Sequence, residues 1–255
     1  MTDTHTHLYL PEFPDGGAEA VHTALEAGVG MMILPNINAE SVEPMLDLHR
    51  RFPESTRIAA GLHPTEHGAE WRHQVESIME RILPFHPVAI GEIGIDLYWD
   101  ATHRTAQMDC LDYQLRMASA LHLPAIIHCR EGLDETLEVI AGLGSDAPEC
   151  IFHSFTGTAA DVERIRKVLD ATFGINGVAT FKNAKELREA LPAIGIDRMV
   201  LETDSPYLAP VPYRGKRNQS AYLPATAACV AATLGITHDE VEQTTDSIAS
   251  RIFAL

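Results

Sequence analysis

The sequence predicts an α/β fold, a (β/α)8 TIM barrel in which residues 1–255 form a single domain. Three observations lead to this prediction. A chain of 255 residues has the length of one such barrel. Short apolar runs alternate along the chain with longer segments of helical periodicity, as in repeated strand–helix units. The short runs are apolar throughout, which is typical of parallel strands that are covered by helices.

Eight strands are predicted, one for each short apolar run. They are Met1–His7, Met31–Pro35, Ile58–Leu62, Val88–Ile93, Ala125–His128, Cys150–His153, Ala171–Ile175 and Met199–Glu202. An open doubly wound sheet is the alternative arrangement of such units. It would need a glycine-rich phosphate loop after an early strand, and the sequence has no such loop there.

Helices are predicted where apolar residues recur three or four positions apart, as Leu111, Leu115, Ala118 and Leu121 do. They cover about Gly17–Ala27, Ala39–Arg51, Trp71–Leu83, Arg104–Leu121, Leu133–Leu143, Ala159–Leu169, Ala184–Leu191, Pro224–Leu234 and His238–Phe253. Thr237 is the predicted N-cap of the last helix, and Glu240 would complete a capping box with it.

The formal net charge of −17 argues against avid binding of nucleic acid, because such binding relies on Lys and Arg side chains that displace counterions. Any nucleic-acid substrate would be weakly held, by metal ions and a few basic side chains. The four cysteines are far apart and form no C-x-x-C pair, so we expect reduced thiols and a cytoplasmic protein. The sequence has neither a bilayer-spanning apolar run nor a signal-peptide pattern, and it indicates no membrane contact and no obligatory protein partner.

Side chains of the metal-ligand type stand at the C-terminal ends of the predicted strands. They are His5, His7, Glu92, His128, His153 and Asp204. In a TIM barrel these strand ends meet at one face, where such barrels carry their active sites. A single buried histidine is more often a packing residue than a ligand, but a set of this size at strand ends predicts a metal centre.

Six ligands exceed the need of one ion, so we predict two divalent metal ions bridged by the carboxylate of Glu92. The predicted ligands are His5, His7, Glu92 and Asp204 for one ion, and Glu92, His128 and His153 for the other. Imidazole and carboxylate ligands without thiolate suit Zn, Mn or Mg. Glu92 and Asp204 are the predicted catalytic residues, and Asp204 could also accept a proton from the attacking water.

Six motifs follow one another from the first strand to a point beyond the last. They are Asp3-Thr-His-Thr-His7, Gly61-Leu-His-Pro64, Gly91-Glu-Ile-Gly-Ile-Asp96, Ile127-His-Cys-Arg130, His153-Ser-Phe-Thr-Gly157 and Glu202-Thr-Asp-Ser-Pro-Tyr-Leu208. With these motifs the chain resembles the TatD-type metal-dependent deoxyribonucleases. The resemblance implies a TIM-barrel hydrolase that cleaves DNA phosphodiesters, with metal bound by the six residues named above. The sequence departs from the family pattern at Glu131-Gly132, Gln219-Ser220 and Ser247, none of which is a predicted ligand.

Three further residues are predicted to contact the substrate: His63, Arg130 and Arg214. His63 could bind phosphate or assist proton transfer, or it could pack beside Pro64. Arg130 could neutralise phosphate or pair with a carboxylate. Arg214 lies in the long loop after the last strand, a common phosphate site in barrels, and a solvated turn is the alternative. Loop aromatics on the same face, Tyr98, Trp99 and Tyr207, could stack on bases or pack within their loops.

The sequence therefore predicts a metal-dependent deoxyribonuclease that acts on single-stranded or frayed ends. The alternative enzyme is a metal-dependent hydrolase of a small phosphate ester, ester or amide at the same site. A barrel that binds metal or partner proteins without turnover is disfavoured, because the ligand set is complete. A nucleic-acid binding module is disfavoured by the net charge.

Overall fold

The computed structural model describes residues 1–99 and 101–255. Its eight parallel strands form one sheet and pair in chain order, so that each strand lies beside the next one in the sequence. The strands are β1 Thr2–Asp3, β2 Met31–Pro35, β3 Thr56–Ala60, β4 Ala89–Asp96, β5 Ala125–Arg130, β6 Cys150–Phe152, β7 Thr172–Ile175 and β8 Met199–Leu201. The prediction of a (β/α)8 barrel is confirmed.

Backbone hydrogen bonds join the last strand to the first. The amide of Thr4 donates to the carbonyl of Leu201 at 3.0 Å, and the amide of Asp204 donates to the carbonyl of His5 at 2.9 Å. Strand β1 is shorter than the predicted Met1–His7. The residues after Asp3 form backbone hydrogen bonds on one side with β8 and the segment that follows it, and on the other side with β2. These hydrogen bonds nearly close the barrel.

The helices form the outer layer. They are α1 Ala18–Glu26, α2 Val42–Arg51, α3 Trp71–Ile82, α4 Arg104–Leu121, α5 Leu133–Leu143, α6 Ala159–Arg166, α7 Lys185–Ile194, α8 Leu223–Leu234 and α9 His238–Phe253. Helix α2 begins three residues later than predicted, because Asn38 and Ser41 form a hydrogen-bonded turn ahead of it. As predicted, Thr237 caps α9 by accepting a hydrogen bond from the amide of Glu240 at 3.1 Å.

Helix α9 closes the barrel at the N-terminal ends of the strands. Its residues Ala249, Ile252 and Phe253 form one buried cluster with side chains from the strands, among them Ile33 and Ile151. A second and larger cluster lies mainly between the sheet and the helices. The interior at this end is therefore filled with apolar side chains, and the opposite end of the barrel is where polar side chains can gather.

Within residues 1–99 and 101–255, no single helix is both long and apolar enough to cross a membrane. One bent pair of helices, 220–234 with 238–253, meets the requirement by length and composition only.

The buried carboxylate of Asp3 fastens β1 to the segment after β8. Its Oδ1 accepts a hydrogen bond from the amide of Thr203 at 2.9 Å, and its Oδ2 accepts one from the Thr203 hydroxyl at 2.7 Å. Asp3 is fully buried, so these bonds are not replaced by water when the carboxylate is removed.

Replacing Asp3 with Ala should lower the free energy of unfolding by about 1–3 kcal/mol, because two buried donors on Thr203 lose their acceptor. Urea denaturation followed by circular dichroism measures this change. The matched control is Asp109→Ala, at an exposed position on α4, which should change the stability by less than about 0.5 kcal/mol. Equal stability of the two variants would show that Asp3 does not hold the barrel closed.

Candidate metal centre

The carboxylate of Glu92 lies at the centre of a group of imidazoles at the C-terminal ends of the strands. Its Oε2 is 3.2 Å from His5 Nε2 and 3.6 Å from His7 Nε2. Its Oε1 is 2.8 Å from His128 Nδ1 and 2.8 Å from His153 Nε2. The two oxygens of one side chain thus face two different pairs of histidines.

Asp204 and His63 join opposite sides of this group. Asp204 Oδ1 lies 3.9 Å from His5 Nε2 and 3.8 Å from His7 Nε2. His63 Nε2 lies 3.3 Å from Glu92 Oε1 and 3.3 Å from His128 Nδ1. The structure therefore brings together all six residues predicted as ligands, and it places His63 among them rather than farther out in the mouth.

The local backbone sets the direction of these side chains. His5 and His7 alternate along the extended segment after β1, so both point to the same side. Glu92 lies within β4 where the register with β5 is irregular, between Ile90 and Ile93. Asp204 has a positive φ of 55°, an uncommon conformation for a residue with a side chain, and such outliers are concentrated at functional sites.

A second layer of polar groups holds the imidazoles by their other nitrogen atoms. His7 Nδ1 is 2.9 Å from the hydroxyl of Tyr9, which donates its proton to the carbonyl of Pro35. Because this hydroxyl has only one proton, it accepts from His7 Nδ1–H. The Nε2 lone pair of His7 is then free and faces Glu92. A metal ligand needs this tautomer.

His128 and His153 have carboxylate partners of their own. His128 Nε2 is 2.9 Å from Oδ2 of the buried Asp96. His153 Nδ1 lies 3.4 Å from Glu202 Oε1 without forming a hydrogen bond, and this oxygen accepts one from the amide of Ser154. Carboxylates in this position fix the orientation of a ligating imidazole and increase its basicity.

Sequence reasoning did not single out Tyr9. The signal for Tyr9 was its position, since it continues the alternation of His5 and His7 by one further step.

The donor atoms fit divalent metal ions. His5 Nε2 and His7 Nε2 are only 3.1 Å apart, and His5 Nε2 is 3.2 Å from Glu92 Oε2. Ligand atoms around one tetrahedral ion with bonds of about 2.0–2.1 Å are separated by about 3.3 Å. Among the described residues, three sets have ligand atoms close enough for one ion: His5, His7 and Glu92; His63, Glu92 and His128; and His5, His153 and Glu202.

Two carboxylates, Glu92 and Asp204, lie among the imidazoles of the site. Burial by itself would raise the pKa of Glu92, but the surrounding imidazoles, chiefly those of His153 and His63, together outweigh it and hold that pKa well below its usual range. Burial raises the pKa of Asp204 to about 6. An ionised carboxylate at the centre, with a second one that ionises near neutrality, attracts a cation.

The two arginines predicted to contact the substrate have partners within the protein. The guanidinium of Arg130 lies over the ring of Tyr98, 3.7 Å from its centroid. The guanidinium of Arg214 lies 3.9 Å from the centroid of Phe181 and donates to the carbonyl of Ala209 at 3.0 Å. Arg130 is exposed at the C-terminal end of β5. Contacts of both arginines with a phosphate stay predictions.

A model of the TatD-related DNase family matches residues 2–254. The chain belongs to this family. It is 34% identical over 264 residues to a protein of Rahnella named 3'-5' ssDNA/RNA exonuclease TatD, covering 100% of this chain and 98% of that one. It is 30% identical over 261 residues to YabD of Bacillus subtilis, an uncharacterized metal-dependent hydrolase, covering 100% and 99%.

A crystal structure of YJJV, a TatD homologue from Escherichia coli K12, has the same fold, with a TM-score of 0.90 and 27% identity. The match covers 100% of this chain and 98% of that one. The predicted resemblance to the TatD family is therefore confirmed, and with it the prediction of a metal-dependent hydrolase.

Gly174 on β7 provides the space for the carboxylate of Glu202. A Cβ at this position would lie 2.1 Å from Glu202 Oε2. The change Gly174→Ala should therefore displace Glu202 from His153 and lower the free energy of unfolding by about 1–3 kcal/mol. Urea denaturation measures this loss.

The control for this prediction is the same substitution at Gly142 on α5, where an added Cβ meets no atom within 4 Å. Gly142→Ala should raise the stability by about 0.5–1 kcal/mol, because alanine favours the helix. If both variants shifted the unfolding midpoint in the same direction, close packing at Gly174 would not be what constrains Glu202.

Proposed function

We propose that this protein is a metal-dependent deoxyribonuclease that hydrolyses phosphodiester bonds at single-stranded or frayed ends of DNA. The observation that carries the proposal is the position of Glu92, whose two carboxylate oxygens face separate pairs of imidazoles in a chain of the TatD-related DNase family. The exonuclease name of the Rahnella relative supports the substrate class.

Two ions would share the carboxylate of Glu92. His5, His7 and Asp204 would complete the ligands of one ion, and His128 and His153 those of the other. When bound, such a pair of ions acidifies a water molecule and neutralises charge on a phosphoryl group. Zn, Mn and Mg all suit these ligands. His63 lies beside His128, one of the ligands of the second ion. It is therefore positioned either to be a further ligand of that ion or to donate a hydrogen bond to a phosphate oxygen.

Asp204 is the group that accepts the proton of the attacking water. Its Oδ1 faces His5 and His7, which leaves the other oxygen to take the proton. Burial raises the pKa of Asp204 to about 6, and a general base works best when its pKa is near the operating pH. Glu92 has the ligand role, because both of its carboxylate oxygens face imidazoles and neither is left to take a proton.

Few cations are available to hold a DNA backbone, in keeping with the net charge of −17. We therefore expect weak binding with a shallow dependence on salt, since few counterions are released. We also expect the protein to act in the cytoplasm and without an obligatory protein partner. All four cysteines are free thiols, as a reducing compartment requires.

Removal of metal should abolish DNA hydrolysis, and Zn, Mn or Mg should restore it. The assay uses end-labelled single-stranded and double-stranded DNA beside a small phosphodiester and an ester. Glu92→Gln should lower kcat by at least about 100-fold even with metal present, because a neutral amide is a poor bridge between two ions. Its control is Glu80→Gln, at an exposed position on α3, which should leave kcat unchanged.

Two results would contradict this proposal. Turnover of the ester or the small phosphodiester without DNA cleavage under any metal would favour the small-molecule hydrolase. The metal content of the active protein is measured by inductively coupled plasma mass spectrometry. A fully active protein with only one metal ion per chain would contradict the two-ion arrangement.

The hydroxyl of Tyr9 offers a test of the second layer. In Tyr9→Phe, His7 loses the acceptor that fixes its tautomer, so metal affinity should fall by about 10- to 100-fold. Calorimetric titration of the metal-free protein measures the affinity. The matched control is Tyr113→Phe, whose hydroxyl donates to Glu76 on the outer helices and which should bind metal as the unchanged protein does. Equal affinities in the two variants would remove the positioning role from Tyr9.

A further inference from the structure

The segment after β4 presents two large aromatic side chains to solvent. Tyr98 is 51% exposed and Trp99 is 68% exposed, the largest exposed fraction among the big hydrophobic side chains in the described ranges. The rings meet edge to face, with centroids 5.0 Å apart. Exposing so much apolar surface is unfavourable in water, and Trp99 gains little packing in return. A ligand that covers these rings would account for their exposure.

Asp96 holds the backbone of both aromatic residues. Its Oδ1 accepts hydrogen bonds from the amide of Tyr98 at 3.1 Å and from the amide of Trp99 at 3.0 Å. Asp96 itself is buried at the end of β4. The two rings are therefore presented on an anchored turn, and less conformational entropy is lost when they bind a ligand.

Arg130 completes the surface. Its guanidinium lies 3.7 Å from the centroid of Tyr98 and 5.5 Å from that of Trp99. Arg130 is exposed, so its donors remain available to a second partner at the rim. We call Tyr98, Trp99 and Arg130 the aromatic–arginine patch. A flat π surface beside a cation matches the two parts of a nucleotide, a base and a phosphate.

The patch is connected to the metal centre by a single carboxylate. While Oδ1 of Asp96 holds the aromatic turn, its Oδ2 accepts from His128 Nε2 at 2.9 Å. Arg130 also follows His128 by two residues on β5. A strand whose phosphate lies at the metal centre would therefore have a neighbouring nucleotide beside the patch.

We propose that the aromatic–arginine patch binds an unpaired base of the substrate strand, stacked on Trp99, while Arg130 contacts an adjoining phosphate. This inference rests on the nuclease function proposed above, and it adds the element that selects single strands. Bases within a duplex are stacked on their neighbours and paired, so their faces are not available to Trp99. Stacking also provides binding energy that needs little positive charge, which suits so acidic a protein.

The first test is kinetic. Trp99→Ala should raise KM for single-stranded DNA by about 5- to 150-fold, the effect of losing one base–aromatic stack. Trp99→Phe should restore most of the affinity, since it keeps a stacking ring.

The matched control is Tyr113→Ala. Tyr113 also has an arginine over its ring, Arg72 at 4.4 Å, but this pair lies on the outer helices α3 and α4. Loss of this pair should leave KM for DNA as it was. Equal KM values for Trp99→Ala and Tyr113→Ala would overturn the proposal.

The second test locates the stacked base. Single-stranded DNA with one abasic position is scanned along its length, and at one position the abasic site should raise KM in the unchanged protein but have no further effect in Trp99→Ala. Additive losses at every position would show that Trp99 contacts no base.

The third test reports binding without turnover. The chain has two tryptophans, so Trp71→Phe leaves Trp99 as the single indole. Phosphorothioate oligo(dT), which resists hydrolysis, should quench its fluorescence in the metal-loaded protein, and an abasic strand of equal length should not. Equal quenching by both strands, or none, would overturn base stacking. A protein that cleaves DNA but fails these tests retains the proposed function without this patch, whereas absence of DNA cleavage contradicts the function itself.

Discussion

The buried carboxylate of Glu92 is the constraint on which the rest of the site depends. A charge that is removed from water must be compensated within the protein, or folding becomes costly. Here the compensation comes from imidazoles at the ends of four other strands, among them His5, His128 and His153. Only a closed barrel brings these strand ends around one point. The hydrogen bonds of Asp3 to Thr203, which fasten the first strand to the last, are therefore also a condition for the site.

The second layer shows how a group of polar side chains is kept in one arrangement. Tyr9, Asp96 and Glu202 each face the nitrogen of an imidazole that points away from Glu92. This leaves the other nitrogen directed at the centre with a defined orientation. Gly174 has no side chain, and the space that a Cβ would fill is occupied by the carboxylate of Glu202. These features give up some local apolar packing and in return fix the orientation of the imidazoles. Such exchanges are common at functional sites.

An acidic nuclease has to bind a polyanion without a broad basic surface. The structure has a centre suited to divalent cations and a small surface where aromatic rings lie beside one arginine, and in our proposals these two features hold the strand together. Asp96 touches both, with one oxygen toward His128 and the other toward the backbone of Tyr98 and Trp99. In our proposals, a change in the position of Asp96 would therefore affect metal binding and substrate binding together.

The sequence by itself determined the barrel and the residue types of the site, because apolar runs mark buried strands and the ligand-type residues stand directly at their ends. It also identified the family, through motifs in a fixed order. The tertiary structure alone decided which atoms face each other. It placed His63 beside His128, turned Asp204 inward through a positive φ, and stacked Arg214 on Phe181. These contacts join residues far apart in the chain, and their geometry depends on strand register and backbone irregularities that no local pattern encodes.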